Sequence, residues 1–193
     1  MKNLHNIELF MVMSLVLFAG NAVGMDTDMA DYTIFDAIEE NNNNYVQRAI
    51  ARGEHINRQN NENETPLFFA ILHNQEDIAI ELIATRENVN RPCLDGLSPL
   101  VLAIAMYNTN IVKALIKAGA NVNARDFDGK TGLMEAVLNN HLDMVNLIIN
   151  ADEFDTDQLE PIIEELERKM NKTVEEQLIL EALQKRWSGI GLK

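Results

Sequence analysis

The chain has 193 residues, 47% of them apolar and 24% charged, the balance of a globular protein with enough material for one sizeable core. Sixteen basic residues against thirty acidic ones leave a formal charge of -14, which repels nucleic acid and other polyanions over most of the surface and suits a neutral or basic partner. Cys93 is the only cysteine, so neither an intrachain disulfide nor a cysteine-based zinc centre is available, and packing has to hold the fold.

The first two dozen residues differ from the rest. Lys2 supplies a small positive start, Leu9 to Ala19 is an apolar run broken only by Ser14, and Ala22-Val23-Gly24 offers small residues for a peptidase. Residues 1–24 therefore read as a secretory signal peptide. The run is well short of the roughly 20 residues that span a bilayer, so no stable membrane anchor is expected after cleavage. Cleavage removes one Lys and one Glu and leaves the charge at -14. The expected location is exported, periplasmic or secreted.

Beyond this segment the chain repeats itself. Ala37, Ala70, Ala103 and Ala136 stand 33 residues apart, as do Ile34, Leu67, Leu100 and Leu133. Thr65, Ser98 and Thr131 follow the same step, as do Asn57, Asn90 and Asn123, and Tyr45, Ile78, Ile111 and Met144. A period of this length signals stacked supersecondary units. Thr65-Pro66 and Ser98-Pro99 place a hydroxyl N-cap before a proline at the first helical position, where a missing N–H costs nothing. The apolar residue two after the cap and the alanine five after it share one face, and the alanine lets neighbouring helices approach closely. A second helix follows, as in "IVKALIKAGA". Gly53 and Gly119 then suit a left-handed helix end, and Asp95-Gly96 and Asp128-Gly129 suit hairpin tips. Each unit is helix, turn, helix, hairpin.

The segments "ENETPLFFAILHNQEDIAIELI", "LDGLSPLVLAIAMYNTNIVKALIKAGANVNA" and "DFDGKTGLMEAVLNNHLDMVNLII" resemble ankyrin repeats. The resemblance covers residues 27–152, in units of about 27–59, 60–92, 93–125 and 126–152. It implies an all-α ankyrin-repeat solenoid of helix-turn-helix units joined by β-hairpin loops. The chain departs from the pattern at Phe68, Val101 and Met134 in place of a histidine, at Gly132 in place of proline, and at Arg86 in place of glycine. The first unit lacks the Thr-Pro pair.

Within this frame the suggestive motif at residues 124–131 loses its meaning. A phosphate loop ending in Gly129-Lys130-Thr131 needs a glycine at Ala124, and an EF-hand starting there needs an oxygen ligand. Hairpin and N-cap account for Gly129 and Thr131, so neither a metal nor another cofactor is expected.

Terminal units must cover core that would otherwise meet water. Tyr45, Val46, Ala49 and Ile50 of the first unit can face the second. After Asp152 the period stops, and residues 153–193 are expected to form a C-terminal helical cap with a loose tail, "SGIGLK". Leu159, Ile162, Ile163 and Leu166 give its first helix an apolar stripe, and Ile179, Leu183 and Trp187 give its second another. A capping box from Thr173 to Glu176 opens that second helix. Eight acids and no base occupy residues 152–167, which reads as a solvated face. His55, His73 and His141 are too scattered to share a metal, His141 matches the family's structural turn histidine, and Cys93 at a hairpin start reads as incidental.

No nucleophile, base and orienting acid are arranged together, so an enzyme is not expected. The resemblance implies recognition of another protein through a concave surface of hairpin tips and first helices. The variable tips are Asn61, Glu62 and Glu64, then Leu94, Asp95 and Leu97, then Phe127, Asp128 and Lys130. Leu94 and Phe127 are one period apart, and Met106, Tyr107, Leu138 and Asn139 stand on or beside the adjoining helices. Apolar tips facing water mark a contact patch unless they pack on neighbouring hairpins. The expected function is an exported, monomeric, non-enzymatic binding module. Alternatives are a stoichiometric stabiliser or inhibitor of a partner enzyme, or a secreted host-directed effector. A eukaryotic secreted protein would offer the sequons at Asn63 and Asn171, the first compromised by the capping role of Thr65.

Overall fold

The computed structural model describes residues 32–93, 96–169 and 172–189, so the signal-peptide segment, Leu94, Asp95 and the last four residues lie outside the described residues. From Ile34 onward the chain forms one compact unit. Its helices come in pairs: α1 (Ile34–Glu39) with α2 (Asn43–Arg52), α3 (Pro66–Leu72) with α4 (Glu76–Ala84), α5 (Pro99–Ala105) with α6 (Thr109–Ala118), and α7 (Gly132–Leu138) with α8 (Leu142–Ile149). The first helices α1, α3, α5 and α7 pack in one row and the second helices α2, α4, α6 and α8 in another. A 3-10 turn at Thr156–Gln158 leads into α9 (Leu159–Arg168) and α10 (Val174–Ser188), and α10 packs against both α8 and α9.

The periodic residues build this stack directly. All four column alanines are wholly buried, and Ile34, Leu67, Leu100 and Leu133 are at most 2% exposed, so the seam between the rows runs through them. The seven-residue helix α3 is buried from Pro66 to Ile71, as a helix with neighbours on both sides must be. Thr65, Ser98 and Thr131 each accept a hydrogen bond from the backbone N–H three residues on, capping α3, α5 and α7. Thr65 is buried in doing so, which withdraws its hydroxyl from the Asn63 sequon.

The asparagine column ties successive units together. Asn90 donates to the Gly119 carbonyl and accepts from Asn121 N–H. Asn123 donates to the Glu153 carbonyl and accepts from Asp155 N–H and Gln158 Nε2, which fastens the end of the third unit to the start of the C-terminal cap.

Two columns require left-handed backbone. Gly53 and Gly119 have φ of 65° and 91°, and Arg86, at the same position in the second unit, holds φ 61°. The missing glycine therefore leaves the turn intact and loads a Cβ into it. The turn between paired helices repeats the feature at Asn41, Asn74, Tyr107 and Asn140, with φ of 53°, 55°, 60° and 59°.

In the first unit Val46 and Ala49 are buried and Tyr45 and Ile50 half-buried. In the cap, Leu159, Ile162, Ile163, Leu166, Ile179 and Leu183 are buried, and both halves of the Thr173–Glu176 capping box form. Trp187 corrects the sequence reading: it continues the Ile179–Leu183 spacing but stands 42% exposed near the end of α10.

Candidate binding surface

Two structural borders flank the row of first helices: the hairpins that precede them and the turns that follow them. Among the described residues the second and third hairpins are each reduced to a single bridge, Cys93 with Leu97 and Arg125 with Thr131, and the first has none. Side chains do the rest. Asp126 Oδ1 accepts from the N–H groups of Asp128 and Lys130, at 3.0 and 2.8 Å, and Asn60 Oδ1 accepts in the same way from Glu62 and Glu64. The Asp-x-Asp-Gly of the third hairpin thus spends Asp126 Oδ1 on its own backbone. Cys93 occupies this position in the middle hairpin, where it is buried, and burial pushes its thiol pKa up.

Phe127 stands 82% exposed at the tip of the third hairpin. Asp128 beside it is exposed, Lys130 and Leu97 are half-buried, and Leu94 and Asp95 lie outside the described residues. Glu64, placed among the variable tips by its sequence position, is instead 1% exposed. Its Oε2 accepts from Asn60 Nδ2 at 2.8 Å, and its Oε1 is buried without a partner. Burial raises the carboxyl pKa, only partly offset by the Asn60 bond, so Glu64 belongs to the fold and is not presented to a partner.

At the opposite border Met106 is half-buried at the C-cap of α5, and Tyr107 follows it 49% exposed. Leu138 ends α7 at 59% exposure. Asn139 Nδ2 donates to both the backbone carbonyl and Oε1 of Glu135, so its amide nitrogen is committed within the helix. The Tyr107 ring lies 4.2 Å from that of His141. His141 occupies the N-cap of α8 without a side-chain capping bond, so this ring contact is what its side chain supplies. His73 plays a similar part against Phe69, at 4.1 Å, and burial lowers its pKa. Among the described residues no three His, Cys, Asp or Glu side chains converge as a metal site would need.

The structure therefore separates the candidate residues into two groups, Phe127 with Asp128 and Lys130 at the hairpin border, and Met106, Tyr107, Leu138 and Asn139 at the turn border. A seven-residue helix of about 10 Å lies between the borders. Sequence reasoning passed over Val174 and Leu178, which are 72% and 45% exposed on α10. Their i, i+4 spacing on the face opposite Ile179 and Leu183 was the available signal.

A family model described as ankyrin repeats (3 copies) matches residues 80–158, and a second, described as ankyrin repeats (many copies), matches residues 34–83. No curated protein matches the chain.

Proposed function

The chain belongs to the ankyrin-repeat family, and from that premise we propose that it is a non-enzymatic module that binds another protein through its concave face, after export. Repeats of this family commonly mediate protein–protein interaction. The observation that carries the reading here is the exposure of Phe127, Leu138 and Tyr107, all in or beside the third and fourth repeats. Large apolar side chains at such exposure contribute little to the core and are the type that anchors an interface. Export is supported by the apolar run at Leu9–Ala19 and the small residues after it.

The test is a pull-down from the source cells with the chain and with a Leu94→Ser, Phe127→Ser variant whose circular dichroism is unchanged. Loss of one specific partner in the variant supports the reading, and equal recovery by both proteins removes the hairpin tips from it. N-terminal sequencing of the exported protein tests cleavage after Gly24.

A further inference from the structure

This inference rests on the reading of the concave face as a protein-binding surface, and it names the chemistry of what binds there. Charge is divided unequally between the two borders of that face. The helix–helix turns, residues 39–44, 72–77, 105–110 and 138–143, carry Glu39, Glu40, Glu76, Asp77 and Asp143 and neither Lys nor Arg. The hairpins, residues 57–64, 90–97 and 123–130, set Arg58, Arg91, Arg125 and Lys130 against five carboxylates and come close to neutral. The turn border is thus the electronegative one. Burial and the like charges of Asp36 and Glu40 together raise the carboxyl pKa of Glu39.

Tyr107 belongs to this border and breaks its pattern. Asn41, Asn74 and Asn140 take the same left-handed backbone, which asparagine tolerates, whereas a bulky ring is strained there. The fold gains no deep burial in return, since Tyr107 remains 49% exposed with its ring against His141. A strained residue that a neighbouring repeat replaces by a comfortable one points to work done by its side chain.

We propose that the exposed ring of Tyr107 receives an arginine side chain from a basic segment of the partner protein, with the carboxylates on the other turns of this border drawing in that segment's other cations. A guanidinium stacks on an aromatic face more readily than an ammonium does, and an acidic border raises the local concentration of a cationic segment. Asp77 and Asp143 are exposed on this border, Asp143 in a groove that it shares with Lys113 and Lys117, so Asp77 is the carboxylate more open to a cation. Glu76 is engaged by Asn108 and Asn110 and serves to hold neighbouring repeats together.

The experiment titrates the full chain with a synthetic peptide of alternating arginine and leucine, and with versions carrying lysine or glutamate in place of arginine. Binding is followed by calorimetry and by amide chemical-shift mapping. The arginine peptide is expected to bind, to shift Tyr107, His141 and Asp143, and to weaken as salt rises, with the lysine peptide weaker and the glutamate peptide silent. Tyr107→Asn should lose about tenfold in affinity while melting at a higher temperature, so that the loss is not unfolding. Equal binding of the arginine and glutamate peptides, full affinity in Tyr107→Asn, or shifts confined to the acidic helix α9 would overturn the proposal. A partner captured from cells that is lost with Phe127→Ser but kept by Tyr107→Asn removes this inference and leaves the concave face as the binding surface. A partner unaffected by either substitution removes both.

Discussion

The ring of Phe127 lies over the backbone of Gly96 in the preceding hairpin, so closely that a Cβ built on Gly96 would stand 2.5 Å from Phe127 Cδ1. Gly96 also has φ 79°, a conformation that disfavours any other residue except Asn or Asp. One glycine thus gives the turn its conformation and the exposed ring its platform. Gly96→Ala is expected to destabilise by about 1–2 kcal/mol from the left-handed backbone alone, and to displace the ring as well. Phe127→Ser should stay within about 0.5 kcal/mol of the parent, because most of the side chain is already in water. Thermal melts of the two variants check the contrast.

Tyr107→Asn restores the residue found at Asn41, Asn74 and Asn140 to the third helix–helix turn. The expected gain is about 0.5–1 kcal/mol, or a melting temperature about 1–4 °C higher, because the left-handed strain is relieved and only a partly exposed ring contact is lost. Asn74→Ala at the matching position should change stability in the opposite direction. Differential scanning calorimetry of both variants measures the signs.

Glu64 makes stability depend on pH. Burial raises its folded-state pKa above the unfolded value, so its carboxyl is tolerated in the fold when protonated and penalised when ionised. Its contribution is therefore fully present below the unfolded pKa of about 4.3 and is lost as pH rises through the higher folded pKa. Glu64→Gln should raise the melting temperature at pH 7, and the difference from the parent should close as the pH is lowered towards 4. A pH series of melts for the two proteins gives the test, and a difference that grows on acidification would refute the assignment.

Asn123 carries three hydrogen bonds between the end of the third unit and the cap, and the Gln158 amide it receives already has a buried oxygen without a partner. Asn123→Ala is expected to cost about 1–2 kcal/mol, because it leaves the buried Gln158 amide unsatisfied, while its bonds to Glu153 and Asp155 are exposed and water can replace them. Hydrogen exchange should show the loss concentrated in α9 and α10. Asn57→Ala, whose partners Glu87 and Asn88 offer exposed side-chain bonds, should cost less.

Much of the fold was legible because it is locally encoded and then repeated. A hydroxyl before a helix, an alanine on its inner face and a left-handed residue at its end act within a few residues of themselves, and a period of 33 makes each of them visible several times. The candidate surface was legible only in part. Phe127 and Tyr107 were identified by position and prove exposed, whereas Glu64 had the same kind of tip position and is buried.

The sequence by itself determined the repeating unit, its caps and the residues of its central seam, since these follow from spacing and from the conformations that individual residue types accept. Tertiary structure decided what happens where one unit meets the next. It buried Glu64, set Phe127 on Gly96, laid Tyr107 against His141 and left Trp187 half in water. The contacts of Phe127 and Tyr107 join residues about 30 positions apart in stacked units, and no spacing within a single unit records that.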